Sequence, residues 1–369
     1  MTVKKEILLA LFLPAVIIGK ITRWNFSGNL VENAIGRVYL NEILYGTPSF
    51  TLWDFSASSA TSDNVVFLYK FLTFFGPNTY NEFEVLITVV FNLLLFALLL
   101  RLKDEISLAL FIFSLVSIAL LNMFSFTLGK EPVQMLLFAC LFYILKVGVY
   151  KEKRAVLIIV SIVAIFVLFL RAYYVYLIVF FLTMQSVTSL KKELGSARWI
   201  IMLALSAFVF FCVLKISAIF APDVYSTLQY LRSARRVDTH AWNTAIQPFF
   251  SSSGVTDISL TLEFIGVVFR LLMPLELITV STRVSVFLKI MFILYQLFVT
   301  VVVFVNMKRF NCLPKEKRTA LNLFLAFLMM SAVFEPDFGS FVRHESVCLP
   351  ILLLIFDTSD TENYTWIGE

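Results

Sequence analysis

The sequence predicts an all-α protein, a polytopic membrane bundle of about ten transmembrane helices, and three observations lead to this prediction. The 369 residues are 60% hydrophobic and 15% charged, with a mean hydropathy of +0.88, whereas soluble domains are roughly 45–50% apolar and about 25% charged. Phenylalanine occupies 40 positions, more than the 25 acidic residues. Long apolar runs recur along the whole chain. A soluble core cannot bury this much apolar surface, which excludes a soluble enzyme, a nucleic-acid-binding domain and a disordered chain.

Ten apolar runs supply the predicted spans. A helix needs roughly 20 residues to cross the hydrocarbon core, because it rises about 1.5 Å per residue. In chain order the runs are 7–21, 83–100, 106–126, 133–149, 155–170, 173–190, 199–220, 286–307, 320–334 and 346–356. The last run is short, and we expect it to gain length from residues 339–345. The first run follows Lys4 and Lys5 but precedes no small-residue cleavage site, which favours an uncleaved span over a signal peptide.

Lysines and arginines in the short loops orient the predicted bundle, because cytoplasmic loops carry an excess of both. The clusters lie at 4–5, 101–103, 151–154, 191–198 and 308–318. With the N-terminus in the cytoplasm, every one of these clusters falls inside. The predicted cytoplasmic loops are therefore about 101–105, 151–154, 191–198 and 308–319, and both termini are cytoplasmic.

Two long segments, about 22–82 and 215–283, then form outer loops in which we expect short helices. The apolar piece 65–75 is too short to span and is expected to lie along the membrane surface. The piece 260–280 is nearly long enough, but charged residues and a proline interrupt it: Glu263, Arg270, Pro274 and Glu276. We interpret it as a re-entrant or interfacial element. The whole chain, 1–369, is thus predicted to be a single membrane domain.

Other chemistries have little support in the sequence. The cysteines Cys140, Cys212, Cys312 and Cys348 lack the spacing of metal ligands, so we interpret them as small apolar residues. There is no glycine-rich phosphate loop, nucleophile elbow or HExxH motif. The sequence therefore indicates no familiar metal or nucleotide site.

Charged residues gather at four places that this topology puts at the outer edge of the membrane. Ionisable groups there are costly and are therefore candidates for function. The four groups are Lys130 beside Glu131; Arg171; Arg232, Arg235, Arg236 and His240; and Glu335, Asp337, Arg343, His344 and Glu345.

Each group has a structural and a functional interpretation. Glu131 and Pro132 are typical of a helix start, so this turn is either a cap or a place where Lys130 meets an anion. Arg171 either reaches lipid headgroups or faces a cavity. On a helix, the stripe 232–240 presents one cationic face, which suits lipid headgroups or a bound phosphate. The stretch 335–345 is either an exposed ion-paired turn or a source of a general base.

Taken together, the Phe/Leu-rich spans, cytoplasmic ends and enlarged outer loops resemble a bacterial O-antigen polymerase, or a related capsular or exopolysaccharide polymerase. The likeness is most local at 126–132, 269–274 and 336–350. In such proteins these segments are associated with an outward-facing active site. The spaced Arg-x10-Gly pattern of some members is not evident in this sequence.

The resemblance implies a function at the outer face of the bacterial inner membrane. The substrates would be oligosaccharide repeat units on undecaprenyl pyrophosphate, and a growing chain would pass from its carrier onto a new unit. The pyrophosphate would be bound by Arg171, Arg232, Arg235, Arg236, Arg343 and Lys130. The acceptor hydroxyl would lose its proton to His344, Glu345, Asp337, Glu335 or His240. Sugars would stack on aromatic residues of the outer loops: Trp53, Tyr225, Tyr230 and Trp242.

The same resemblance sets expectations for cofactors and partners. We expect no metal or other cofactor, because pyrophosphate is a good leaving group and arginines can stabilise its charge. Membrane lipids, a chain-length regulator and a flippase are the expected partners.

Other functions stay open. A glycosyltransferase that uses a polyprenyl-phosphate sugar donor would place its chemistry on Asp54 and Asp63, often with a divalent metal. A flippase or transporter of lipid-linked oligosaccharide would be expected to carry charges at the bilayer midplane and repeated halves, which the sequence does not show. An acyl-modifying membrane enzyme would need a histidine inside a span, and neither His240 nor His344 is placed there.

Overall fold

A computed structural model describes residues 2–26, 32–46, 63–147, 152–169, 172–190, 197–220, 222, 225–226, 228–229, 246, 256–279, 286–335 and 337–357. Nearly all of the described residues are helical, which confirms the predicted all-α class. The chain forms two compact units. The first comprises Met1–Ala172, Pro314–Ala320 and Arg343–Glu369, and the second Tyr173–Leu313 and Leu321–Val342.

The first unit begins with a small sheet and a series of helices. Strand β1 (Thr2–Lys4) pairs antiparallel with β2 (Glu105–Ser107), an element that the sequence analysis does not predict. The helices are α1 (Lys5–Phe26), α2 (Glu32–Tyr45), α3 (Asp63–Leu72), α4 (Tyr80–Leu100), α5 (Leu108–Leu120), α6 (Glu131–Val147) and α7 (Glu152–Phe169).

The second unit consists of helices in its described part. They are α8 (Val175–Leu190), α9 (Ala197–Phe220), α10 (Asp257–Leu272), α11 (Glu276–Thr279) and α12 (Val286–Lys308). Three later helices follow: α13 (Lys315–Phe334) and α14 (Phe338–Ser346), each with residues assigned to both units, and α15 (Leu349–Phe356) in the first.

Helix α1 packs closely on α5, and α15 packs on α5 and α6. Every residue of α15 is buried, and its last residue, Phe356, stacks on Phe113 with ring centroids 4.1 Å apart. The next residue, Asp357, lies 3.7 Å from Lys146, and its carbonyl oxygen accepts a hydrogen bond from Lys317. These contacts fix the end of α15 in the first unit.

In the second unit, α9 packs against both α8 and α10. Phe264 of α10 stacks on Phe180 and Phe210, at centroid distances of 5.8 and 4.9 Å. The side-chain amide of Asn322 donates to Gln185 at 2.8 Å. This unit is therefore held by aromatic stacking and by a polar contact in its interior.

Within the described residues, six helices are long and apolar enough to cross a membrane. They are Lys5–Trp24, Tyr80–Leu100, Leu108–Ser125, Arg198–Phe220, Lys289–Lys308 and Lys315–Phe334. The predicted runs 133–149, 155–170 and 173–190 form α6, α7 and α8 but are not among the six. A helical membrane bundle is therefore plausible, and the predicted count of about ten spans is not confirmed.

The last predicted span is not one straight helix. Helices α14 and α15 are bent by 71° at Val347–Cys348, so together they form a broken span or a re-entrant loop. The segment 260–280 is interrupted as well, since α10 ends at Leu272, before Pro274. The apolar piece 65–75 forms α3 and a short 3-10 turn, which are too short to span.

Candidate functional site

The candidate site lies where α5 passes into α6, in the first unit. Residues 121–130, which we call the connector, begin with a π-helical turn at Leu121–Ser125 and end at Lys130, immediately before α6. Such π-helical turns inside or beside α-helices are frequent at functional sites. The connector therefore interrupts regular helix at the point where the sequence places a charged turn.

Three ionisable side chains meet at the end of the connector, and we call Glu131, Arg343 and His344 the charged cluster. Glu131 is the first residue of α6, and its Oε1 lies 3.0 Å from Nε of Arg343 and 3.3 Å from Nε2 of His344. The side chains of Glu131 and His344 are 7% exposed, and that of Arg343 is 20% exposed. The cluster therefore joins the start of α6 to the last turn of α14.

Electrostatics keep the carboxylate of this cluster ionised. Burial alone raises the pKa of Glu131, but the guanidinium of Arg343 and the imidazole of His344, with a smaller effect from Lys130, hold it well below its usual range. Glu131 precedes the apolar part of α6, which begins at Val133. A fixed negative charge therefore lies beside Arg343 and His344.

Hydroxyl groups join the connector to the backbone of α14. Ser125 Oγ lies 3.0 Å from Ser346 Oγ, and both hydroxyls donate to the carbonyl oxygen of Arg343, at 3.3 and 2.7 Å. Glu345, in the same helical turn, is fully buried. These bonds set the position of the turn that carries Arg343 and His344.

The connector is held from other helices through its own backbone. Its carbonyl oxygens accept hydrogen bonds from α1 and α3: Met123 O from Arg23 Nη1 (2.9 Å), Phe126 O from Lys20 Nζ (3.0 Å) and Gly129 O from Tyr69 OH (2.8 Å). The side-chain amides of Asn92 and Asn122 bond each other reciprocally, at 2.7 and 2.9 Å. The irregular backbone before Lys130 is therefore fixed by side chains of neighbouring helices.

The structure brings together four of the residues singled out from the sequence. Lys130 directly precedes Glu131, while Arg343, His344 and Glu345 occupy one turn of α14. Glu335 and Asp337 are buried residues of the second unit. Asp337 accepts a hydrogen bond from Ser340 N at 2.8 Å, so it caps the start of α14.

Other predicted site residues lie outside the described residues, and their roles stay predictions. They are Arg171, Arg232, Arg235, Arg236, His240, Trp53, Asp54, Tyr230 and Trp242. For Asp63 the structure describes the backbone, at the start of α3. Tyr225 is described, and its hydroxyl donates to Asp257 at 2.7 Å.

From the sequence alone, Glu131 has no role beyond a helix start, and nothing singles out Ser125, Ser346 or Tyr69. One further group could have been found from spacing alone. Lys20 and Arg23 lie three residues apart at the end of the first apolar run, and Glu84 lies at the start of the next. Opposite charges at the ends of consecutive apolar runs indicate pairing.

The second unit pairs the charges that interrupt 260–280. Arg270 Nε lies 2.7 Å from Glu276 and Nη1 lies 3.8 Å from Glu263. Asp257, at the start of α10, forms an ion pair with Lys215, whose Nζ lies 2.6 Å from its carboxylate. Segment 269–274 is one of the three that resemble polymerases, and Arg270 is its charged residue. These ion pairs give Arg270 and the charged residues on either side of the segment a structural role.

Across the described ranges, no group of three or more His, Cys, Asp or Glu side chains is placed to hold a metal ion. No protein-family model, curated protein or solved structure matches this chain.

Proposed function

We propose that this protein is a membrane-embedded polymerase that joins oligosaccharide repeat units carried on undecaprenyl pyrophosphate, at the outer face of the bacterial inner membrane. The charged cluster of Glu131, Arg343 and His344 is the observation that carries the proposal. It unites two of the three segments in which the sequence resembles such polymerases, 126–132 and 336–350. It also offers, in one place, cations for a diphosphate and a base for an acceptor hydroxyl.

Arg343 and Lys130 are the proposed ligands of the donor pyrophosphate. The ion pair to Glu131 engages Nε of Arg343, which orients the plane of the guanidinium and so its Nη groups. Paired N–H groups of this kind suit phosphate oxygens. When the bond between sugar and pyrophosphate breaks, negative charge grows on the leaving oxygen. Cations held in place stabilise this charge more in the transition state than in the bound substrate.

His344 is the proposed base. Its Nε2 faces Glu131, so a proton on Nε2 leaves Nδ1 to accept the proton of the acceptor hydroxyl. The hydroxyl oxygen bonds to the anomeric carbon of the growing chain as the bond to undecaprenyl pyrophosphate breaks. Glu131 stabilises the imidazolium that forms, in the manner of a carboxylate beside a catalytic histidine.

The gene deletion tests the function itself. In the source bacterium we expect the deletion strain to make surface glycolipid with a single repeat unit, in place of a ladder of chain lengths on a silver-stained gel. Loss of even the single unit would instead indicate a transporter, and a unit lacking one sugar would indicate a single-sugar transferase. A persisting ladder would contradict all three.

Substitutions at the cationic residues test the site. We expect Arg343→Ala to give the single-unit phenotype while the protein still inserts into membranes. Arg343→Lys retains the charge without the planar fork and should leave a weak ladder. Arg154→Ala, at an exposed arginine of α7, is the matched control and should give a full ladder. A wild-type ladder from Arg343→Ala would remove this arginine from the proposed site.

A further inference from the structure

A second group of ionisable side chains contacts the connector and belongs to two of the candidate spans. Lys20 and Arg23 are on α1, one turn apart, and Glu84 is on α4. Glu84 Oε1 lies 3.1 Å from Lys20 Nζ and 2.9 Å from Arg23 Nε. The three side chains are 24%, 10% and 18% exposed, respectively.

Charges inside membrane spans are costly, so their retention calls for a reason. The pairing of Lys20 and Arg23 with Glu84 is one such reason. Both cations also donate to the backbone of the connector, Arg23 to Met123 O at 2.9 Å and Lys20 to Phe126 O at 3.0 Å. The two cations therefore bind both Glu84 and the backbone of the connector.

These contacts fall where the backbone is least regular. The π-helical turn contains Met123 and ends at Ser125, and Phe126 lies four residues before Lys130. Ser125 lies between the two anchored carbonyls and contacts Ser346 of α14. A displacement at Met123 or Phe126 would therefore move both the Ser125 contact and the Lys130–Glu131 turn.

We infer that Lys20, Arg23 and Glu84 form a positioning clamp, which holds the connector so that Lys130 and Glu131 meet Arg343 and His344. The catalytic part of this inference rests on the proposed function, but the geometric part does not. None of the three clamp residues is assigned a contact with substrate. Their effect passes through the backbone of the connector.

The chain supplies a matched control on the same helix. Lys5, at the opposite end of α1, forms an ion pair with Asp104 at 3.0 Å and donates to Leu102 O at 2.9 Å. It has the same chemistry as Lys20, a carboxylate partner and a backbone carbonyl, but no contact with the connector. Lys5→Gln therefore removes an equivalent cation without touching the clamp.

The geometric test uses disulfide formation between Ser125→Cys and Ser346→Cys, in a chain whose four native cysteines are alanine. Copper phenanthroline oxidises the protein in membranes, and a maleimide–polyethylene glycol gel shift counts the thiols that remain. We expect Lys20→Gln with Arg23→Gln to slow disulfide formation by about tenfold, because a displacement near 1 Å is enough to do so. Lys5→Gln should leave the rate unchanged. A second pair, Thr2→Cys and Ser107→Cys, which face each other across the small sheet, should react equally with and without the Lys20→Gln and Arg23→Gln changes.

The catalytic test uses purified protein and undecaprenyl-pyrophosphate-linked repeat units. We expect the double variant to lose at least about tenfold in kcat with little change in KM, because alignment and not affinity is disturbed. Arg23→Lys keeps the ion pair with Glu84, so we expect its kcat to lie between that of the double variant and that of the wild type. It also serves as the test variant if the double variant does not accumulate.

The two tests separate this inference from the proposed function. Unchanged disulfide formation in the clamp variants would overturn the clamp, whatever the protein does. A ladder that persists in the deletion strain, together with slowed disulfide formation in the clamp variants, would overturn the polymerase proposal and leave the geometric clamp standing. Equal losses of kcat in Lys5→Gln and the double variant would show a general effect of α1 and would refute a positioning role.

Discussion

Glu131 is a buried carboxylate whose neighbours make its ionised form favourable. Alone in a low-dielectric site a carboxylate would be protonated, but the guanidinium of Arg343 supplies a compensating charge 3.0 Å away and Nε2 of His344 lies 3.3 Å away. Such pairs contribute little net stability, yet removing one member leaves the others buried without compensation. The residue therefore links the stability of the site to its proposed chemistry.

We expect Glu131→Gln to lower the free energy of unfolding by about 3 kcal/mol, the low end of the effect for broken buried pairs, because Arg343 keeps some solvent contact. Thermal unfolding in detergent measures the change as a fall in Tm. Glu82→Gln is the control, since Glu82 is an exposed carboxylate in the capping box of α4. A fall in Tm no larger than that of the control would show that the cluster is not an energetic unit.

The same carboxylate predicts a dependence on pH. The pKa of Glu131 is depressed in the folded protein, so its contribution to stability is complete above the unfolded value of about 4.3 and is lost as the pH falls below it. We therefore expect the difference in Tm between wild type and Glu131→Gln to shrink as the pH falls below about 4. Tm measured across this acidic range checks the sign. A difference that does not shrink below about pH 4 would contradict the assigned ion pair.

At the scale of the elements, the contact between α1 and α5 depends on a glycine. A Cβ atom at Gly19 would lie 2.5 Å from the backbone oxygen of Ala119 and 2.9 Å from Cβ of Asn122. Backbone cannot yield as a flexible side chain can, so the two helices approach this closely only because the side chain is absent. The approach also places Lys20, the next residue, against the connector.

We expect Gly19→Leu to separate α1 from α5 and to cost about 1–3 kcal/mol of stability, the usual effect of overpacking. Ala10→Leu is the matched control, because Ala10 is exposed on the same helix. Fluorescence-detected gel filtration after heating compares the two variants. Equal survival of both would show that the helices tolerate a wider spacing.

Element breaks were the least predictable part of the fold. Residues 106–126 form one apolar run in the sequence, but the structure divides it into a strand, a helix and a π-helical turn. The bend between α14 and α15 falls at Val347–Cys348, where no glycine or proline lies at the break and Pro350 follows inside α15. Hydrophobicity predicts that a segment is buried, but it does not predict where its backbone departs from a straight helix.

At the scale of the whole molecule, the described helices support a membrane protein and leave its topology as a prediction. Segment 260–280 is decisive for that topology, because one additional crossing there would invert every later loop. The break between α10 and α11 and the paired charges of Arg270 favour the interpretation without a crossing. The predicted orientation rests on the distribution of lysine and arginine.

We expect a reporter fused after Arg283 to report an extracytoplasmic position and one fused after Leu313 to report a cytoplasmic position. Paired alkaline phosphatase and green fluorescent protein fusions measure both. A cytoplasmic signal after Arg283 would make 260–280 a true span and would place the loop 308–319 outside.

The sequence by itself determined the helical class, the apolar segments and the group of residues Arg343, His344 and Glu345, because composition, run length and local charge are properties of neighbours along the chain. Only the tertiary structure decided that Glu131 meets Arg343 and His344, and that Lys20 and Arg23 hold the connector. Those contacts join residues far apart in sequence, and packing in three dimensions, such as the close approach at Gly19, sets which of many possible charge pairs forms.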